Sequence, residues 1–133
     1  MTKRRSIEVE GAPGLHHTHP IPNASRIGPF LMTGGIYGKD PQTGKIPPDA
    51  ASQCKFLFEN VRLILQAGGA TPNDVIRIHV WMANKDDRAH LNREWIAMFP
   101  DEHSRPARHT FTDTDQANGA LVSCEVIAVI AGE

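Results

Sequence analysis

The sequence predicts an α+β fold in which two helices cover one face of a small mixed β-sheet. Two amphipathic helical patterns alternate with short apolar segments, in the order strand, helix, strand, helix, strand, strand. Proline and glycine clusters separate these segments, and no internal repeat or change of composition divides the chain. We therefore expect a single domain over residues 1–133.

The composition is typical of a globular domain, with 40% hydrophobic and 22% charged residues. A formal net charge of −1 gives no electrostatic attraction to nucleic acid or an anionic membrane, so we expect neither as a partner. No apolar run has the length of a membrane span or of a signal-peptide core. Cys54 and Cys124 fall in apolar patterns, which predicts buried free thiols and a cytoplasmic protein.

The N-terminal segment, residues 1–22, is rich in Pro, Gly and His, and we expect it to pack loosely on the surface. A short strand is expected around Ile7–Val9. His16, His17 and His19 have no Cys or carboxylate at a metal-ligand spacing, so we interpret them as surface histidines and expect no metal site.

The apolar segment Phe30–Thr33 predicts a short strand that ends at Gly34 and Gly35. These two glycines form either a plain turn or a backbone pocket for an oxyanion. The first helix is expected from Asp49 to Ala67, because its apolar residues recur at the spacing of one helical face. Gly68-Gly69 is a typical C-terminal cap.

Three further elements follow. Val75–Met82 alternates like a strand, and Asp86 or Asp87 can cap a second helix that runs to about Met98. Ala107–Thr112 is then expected to be a strand.

The final strand, Leu121–Ile130, is apolar on both of its faces. A strand of this kind is normally buried on both sides, yet two helices can cover one face of the sheet and nothing remains for the other. We therefore expect the uncovered face to meet another copy of the chain in a homo-oligomer.

The pair Asn118-Gly119 predicts a tight hairpin between the last two strands. In that register Thr112 lies opposite Glu125, and Arg108 lies opposite Val129. A longer loop would instead place Arg108 opposite Glu125.

In either register Arg108, Thr110 and Glu125 share one face of the sheet. The burial pattern indicates that this face points toward the subunit interface. His109 is expected to point to the opposite face. A guanidinium binds a carboxylate with two hydrogen bonds, and a carboxylate can orient water or transfer a proton. The functional interpretation is a pocket for a small carboxylate. The alternative is a structural Arg108–Glu125 ion pair, and the residues alone leave both open.

Segments along most of the chain resemble the RidA/YjgF family. They are "RIGPFLMTGGIYGKDPQTGKIP", "LNREWIAMF", "PARHTF" and "CEVIAVIAGE". The resemblance implies a chorismate-mutase-like α+β fold, a homotrimer and active sites in the clefts between subunits. It also implies hydrolysis of reactive 2-enamino or 2-imino acids to 2-keto acids and ammonia, without a metal or organic cofactor.

The same resemblance implies roles for individual residues. Arg108 matches the arginine that holds the substrate carboxylate, Glu125 matches the glutamate that orients the attacking water, and Asn92 matches the family's helix asparagine. Two other functions stay open. One is a non-catalytic metabolite-binding or holdase-like protein that uses the same cleft. The other is an endoribonuclease, which the charge of −1 and the few aromatic residues disfavour.

The pocket is expected to differ from that of common members of the family. Phe30, Gly34 and Thr110 stand where they have tyrosine, serine and cysteine, and Gly35 is expected beside them in the substrate site. These replacements affect the expected substrate more than the expected reaction class.

Overall fold

The computed structural model describes residues 3–131 and contains two α-helices and seven strands. The strands are β1 Arg4–Ile7, β2 Ala24–Ile27, β3 Phe30–Thr33, β4 Ile36–Tyr37, β5 Val75–Met82, β6 Ala107–Thr112 and β7 Val122–Val129. The helices are α1 Ala50–Ala67 and α2 Arg88–Met98. The two helices and the mixed sheet confirm the α+β fold class.

All strands belong to one sheet, in the order β1-β2-β3-β7-β5-β6, and β4 also pairs with β7. Neighbouring strands are antiparallel except β5 and β6, which are parallel. The parallel pair follows from α2, which carries the chain from the end of β5 back to the start of β6. β6 is therefore an edge strand of the sheet.

The core lies between the sheet and the helices. Strand β7 sends Val122, Cys124, Val126 and Ala128 into it, all fully or nearly fully buried. Helix α1 contributes the apolar residues that its periodicity predicted. They are Cys54, Leu57, Phe58, Val61, Ile64 and Leu65.

The opposite face of the sheet, here called the open face, is not covered by any other part of residues 3–131. It carries exposed apolar side chains across several strands. They are Ile27, Phe30, Met32, Phe111 and Val129. An exposed apolar surface of this kind favours contact with another molecule.

The predicted hairpin between the last two strands is wrong. β6 pairs with β5 and not with β7, because β7 occupies the other side of β5. The chain between β6 and β7 crosses β5 and contains the short 3-10 turn Ala117–Gly119. Asn118 and Gly119 do have positive φ angles of 61° and 78°. The Asn-Gly pair therefore predicted the local backbone conformation but not the pairing of the strands.

Both helices lie close to where they were expected. Asp49 caps α1 by accepting a hydrogen bond from the Ser52 backbone N–H at 2.9 Å, and this bond lowers the pKa of Asp49. Helix α2 begins at Arg88 after the 3-10 turn Lys85–Asp87, and no side-chain capping bond forms at Asp87. In the described part of the chain, neither helix has the length and hydropathy that spanning a bilayer requires.

The N-terminal segment differs from its prediction. Its strand is Arg4–Ile7, slightly before the expected position, and Ile7, Val9 and Leu15 are buried in the core. The described part of the segment therefore packs closely, because these apolar residues anchor it in the core.

Cys54 and Cys124 are buried free thiols, as predicted. Burial raises the pKa of Cys54 to about 12 and also raises the pKa of Cys124. Both thiols are therefore protonated and unreactive near neutral pH.

One buried side chain links α1 to the connection between β6 and β7. Gln53 is fully buried, and its Nε2 donates hydrogen bonds to the carbonyls of Pro47 at 2.8 Å and Gly119 at 3.1 Å. Its Oε1 accepts from the Leu121 backbone N–H at 2.7 Å. These bonds satisfy the carbonyls of Pro47 and Gly119 and the N–H of Leu121, which lie outside the paired strands.

We predict that Gln53→Met lowers the free energy of unfolding by about 2–4 kcal/mol, because it leaves buried donors and acceptors unpaired. Chemical denaturation measures the change. The matched control is Gln66→Met on an exposed position of the same helix, which should change stability by less than about 0.5 kcal/mol. Equal effects in the two variants would contradict the role of Gln53.

Candidate functional site

Arg108 lies on the edge strand β6 and points to the helix-covered face of the sheet, since its partner in β5 is the buried Ile78. Its Nη2 donates a hydrogen bond to the Asn92 side-chain oxygen at 2.9 Å. The guanidinium also stacks on Trp95, with Cζ 4.8 Å from the ring centroid. Helix α2 therefore fixes the position and the plane of this cation.

The charge of Arg108 has no counterion among residues 3–131. Its Nη1 is buried and has no hydrogen-bond partner, and no carboxylate of residues 3–131 pairs with it. Burial lowers the pKa of Arg108, and the nearby charge of Arg88 lowers it further. Arginine stays cationic at neutral pH even so. A partly buried guanidinium with an unused donor is a strong binding group for a carboxylate.

Thr110 lies two residues further along β6 and faces the same side, opposite the buried Val80. Arg108, Thr110 and Asn92 thus form one group, which we call the arginine half-site. It contains three of the residues that the sequence predicted for substrate binding.

Glu125 lies on the other side of the sheet. It pairs with His79 across β7 and β5, and His79 pairs with His109 across β5 and β6. Residues in register point to the same face, so all three side chains lie on the open face. The prediction that Arg108 and Glu125 share a face is wrong, because it depended on the hairpin that does not form. His109 does point away from Arg108, as strand alternation predicts, and it lies on the open face together with Glu125.

The surroundings of Glu125 explain how the open face holds a carboxylate. Its side chain is 48% exposed, and its Oε1 lies 3.8 Å from Nδ1 of His79. Trp81 and Phe111 stack beside this pair, with their ring centroids 5.7 Å apart. Glu125 is therefore solvated within one chain and would lose water when another molecule covers the open face.

Gly34 and Gly35 lie in a bulge beside Glu125. Met32 pairs with Ile127 and Ile36 pairs with Cys124, so three residues of one strand oppose two residues of β7. A β-bulge of this type interrupts the regular pairing and redirects the backbone. We call Glu125, Gly34 and Gly35 the glutamate half-site.

The Thr33 side chain closes this bulge. Its hydroxyl accepts a hydrogen bond from the Val126 backbone N–H at 2.9 Å and donates one to the Gly34 carbonyl at 2.8 Å. The hydroxyl thus gives the Val126 N–H of β7 a hydrogen-bond partner where the bulge interrupts the backbone pairing. Thr33 was not among the predicted site residues, although its position directly before the two glycines could have indicated that it supports them.

The two half-sites lie on opposite faces of the sheet, so a structural Arg108–Glu125 ion pair within one chain is excluded. Phe30 joins neither half-site. It pairs with Val129 on the open face, four residues along β7 from Glu125, or about 13 Å at the rise of an extended strand.

Two neighbours of the predicted residues were not identified from sequence. Trp95 follows Asn92 by three positions on α2, and this helical spacing could have placed both beside one cation. His79 could be placed beside Glu125 only with the strand register. Within residues 3–131, no three His, Cys, Asp or Glu side chains are grouped so that they could hold a metal ion.

Comparisons with known proteins agree with this architecture. The sequence model of the Endoribonuclease L-PSP family matches residues 15–130. A RutC family protein of Pyrococcus abyssi is 32% identical over 110 residues, which cover 82% of this chain and 85% of that protein. The 2-iminobutanoate/2-iminopropanoate deaminase of Escherichia coli is 27% identical over 126 residues, which cover 94% and 97% of the two chains.

The fold is also shared with solved structures. The crystal structure of E. coli TdcF with bound serine has a TM-score of 0.85 and 28% sequence identity, and the match covers 96% of this chain and 99% of that chain. The fold is thus that of the endoribonuclease L-PSP class of small α+β proteins. Within that class, the chain belongs to the RidA/YjgF family.

We predict that Thr33→Val lowers the free energy of unfolding by about 1–3 kcal/mol, because the buried Val126 N–H loses its partner. Denaturant titration measures this effect. Thr112→Val is the control, since Thr112 is exposed at the end of β6. If both variants keep the stability of the natural sequence, the hydroxyl does not support the bulge.

Proposed function

We propose that the protein hydrolyses reactive 2-enamino and 2-imino acids to 2-keto acids and ammonia, in clefts between the subunits of a homotrimer. The observation that carries this proposal is the partly buried guanidinium of Arg108, which has a free donor and no carboxylate partner within residues 3–131. The name of the E. coli deaminase relative supports the reaction class.

The proposal of a site between subunits has a geometric reason. One chain holds the arginine half-site at an edge strand and the glutamate half-site on the opposite face, so a single chain cannot direct both at one small molecule. A neighbouring copy that covers the open face can bring its own edge strand to Glu125. The exposed apolar residues of the open face favour such contact, and the family resemblance implies three copies.

The half-sites divide the chemistry between them. Arg108 holds the substrate carboxylate with charge-assisted hydrogen bonds, while Asn92 keeps the guanidinium in place. An enamine first tautomerises to the imine. Glu125 of the neighbouring copy then orients a water molecule and accepts its proton as the oxygen adds to the imine carbon.

In the remaining steps Glu125 returns the proton to the nitrogen of the carbinolamine. The C–N bond then breaks as ammonia leaves, and the hydroxyl loses its proton as the C=O bond of the 2-keto acid forms. Thr110 and the backbone at Gly34 and Gly35 shape the cleft around the reacting carbon. Because the substrate is already reactive, most of the acceleration comes from positioning.

The free, buried thiols Cys54 and Cys124 favour a reducing compartment, and we propose that the enzyme is cytoplasmic.

Binding of a metabolite without turnover is the second candidate function, because Arg108, which has no carboxylate partner within residues 3–131, equally favours a bound carboxylate. Release of ammonia from 2-iminobutanoate, generated in situ, separates the two functions.

We predict that Arg108→Ala and Glu125→Gln each lose most turnover of 2-iminobutanoate as pure proteins, whereas a refolded equimolar mixture regains activity. In a cyclic trimer of randomly mixed chains, about one site in four combines an intact Arg108 with an intact Glu125. The mixture should therefore recover about a quarter of the natural activity.

The control is a mixture of Arg108→Ala with the double variant Arg108→Ala/Glu125→Gln, which contains no intact arginine and must stay inactive. No recovery in the first mixture would show that the two residues do not meet between subunits. Full activity in both pure variants would overturn the deaminase assignment.

We also predict that Met32→Glu converts the trimer to folded monomers, because it places a charge on the open face where the apolar contact forms. Ile96→Glu is the matched control. Ile96 is 53% exposed on α2, and Met32 is 55% exposed on β3. Light scattering after size-exclusion chromatography gives the mass, and a trimeric Met32→Glu variant would show that the interface lies elsewhere.

A further inference from the structure

A cleft of about 610 Å³ lies beside the glutamate half-site. His16, His17, His19, Lys39, Gly35 and Asn118 are among its lining residues, and we call it the histidine cleft. Its lining includes three histidines and one lysine but no Asp or Glu among the described residues. A cleft lined by cationic and neutral donors favours an anionic ligand.

Lys39 is the fixed cation of this cleft. It is partly buried, and no carboxylate within residues 3–131 forms an ion pair with it. The adjacent Asp40 is engaged elsewhere, since its Oδ1 accepts a hydrogen bond from the Gln42 backbone N–H at 2.8 Å. Burial lowers the pKa of Lys39, as expected for an ammonium that has lost water without gaining a partner.

His17 supplies a second unused polar group. Its Nε2 is buried and has no hydrogen-bond partner, whereas Nε2 of His16 lies 3.2 Å from the Val9 carbonyl. An imidazole nitrogen can donate a hydrogen bond to an anion when it carries a proton. Buried polar groups without partners are uncommon, and a ligand is one explanation for them.

The histidine cleft and the glutamate half-site share Gly35. This residue belongs to the bulge beside Glu125, and it also lines the cleft. A molecule held next to Glu125 can therefore extend toward Lys39 and His17. A volume of about 610 Å³ also exceeds what a three- or four-carbon imino acid needs, since such cavities accommodate much larger ligands.

We propose that the histidine cleft binds a second acidic group on the substrate, so that the preferred substrates are 2-imino acids with a carboxylate in the side chain. This inference rests on the proposed function. In it Arg108 of one chain holds the carboxylate next to the reacting carbon, and Lys39 and His17 of the neighbouring chain hold the side-chain carboxylate.

Binding of stable product analogues tests this directly. Isothermal titration calorimetry compares 2-oxoglutarate with 2-oxopentanoate, which has a methyl group in place of the second carboxylate. We expect the natural protein to bind 2-oxoglutarate at least about tenfold more tightly, the size of one charge-assisted contact. Lys39→Met should remove this preference and leave the affinity for 2-oxopentanoate unchanged, whereas Lys39→Arg should keep most of it.

Lys45→Met is the control, because Lys45 is an exposed lysine of the same loop and is absent from the cleft lining. It should keep the full preference. Equal affinities for the two keto acids in the natural protein, or an equal loss in the Lys39→Met and Lys45→Met variants, would overturn the inference.

The kinetics separate this inference from the function on which it rests. If the enzyme hydrolyses 2-iminobutanoate but has no preference for 2-oxoglutarate, the acidic subsite is wrong and the deaminase assignment stands. If the Lys39-dependent preference is found while Glu125→Gln has no effect on turnover, the deaminase mechanism is wrong and the cleft remains an anion site.

Discussion

The pairing of β5 with β7 is the constraint on which the positions of the functional groups depend. β5 has β7 on one side and β6 on the other, and residues in register across all three strands point to the same face. This register directs Arg108 toward the helices and Glu125 toward the open face. A shift of one residue would exchange the two faces and bury the carboxylate in the core.

The same sheet contains the interruption that gives the glutamate half-site its shape. β3 and β4 are separated by a bulge because Thr33, Gly34 and Gly35 oppose two residues of β7. Glycine suits this position, since it leaves the backbone open to a ligand. The Thr33 hydroxyl stabilises the irregular backbone without filling the space beside Glu125.

Much of the fold could be predicted from the sequence, because α1 and β5 carry strong local periodicity. β2 and β4 were missed, since strands of four and two residues give too short a pattern. The order of the strands was inaccessible for a different reason. Which strands pair depends on packing across the whole sheet. The Asn118-Gly119 sequence predicts only the backbone conformation of those two residues.

The candidate site shows the same limit. The residue types and their likeness to a family predicted Arg108, Asn92 and Glu125 as site residues, but their mutual arrangement required the register. The histidines near the N-terminus were interpreted as surface residues, because only folding places His17 in one cleft with Lys39.

The placement of the two half-sites on opposite faces also determines what a single chain can do. In the proposed assembly, a newly made or highly diluted chain is folded yet inert, and activity rises with the concentration of assembled protein. One defective arginine in a trimer silences one site and leaves the other two intact. Such an assembly would therefore tolerate a mixture of sound and damaged chains better than a complex in which every site needs all three subunits.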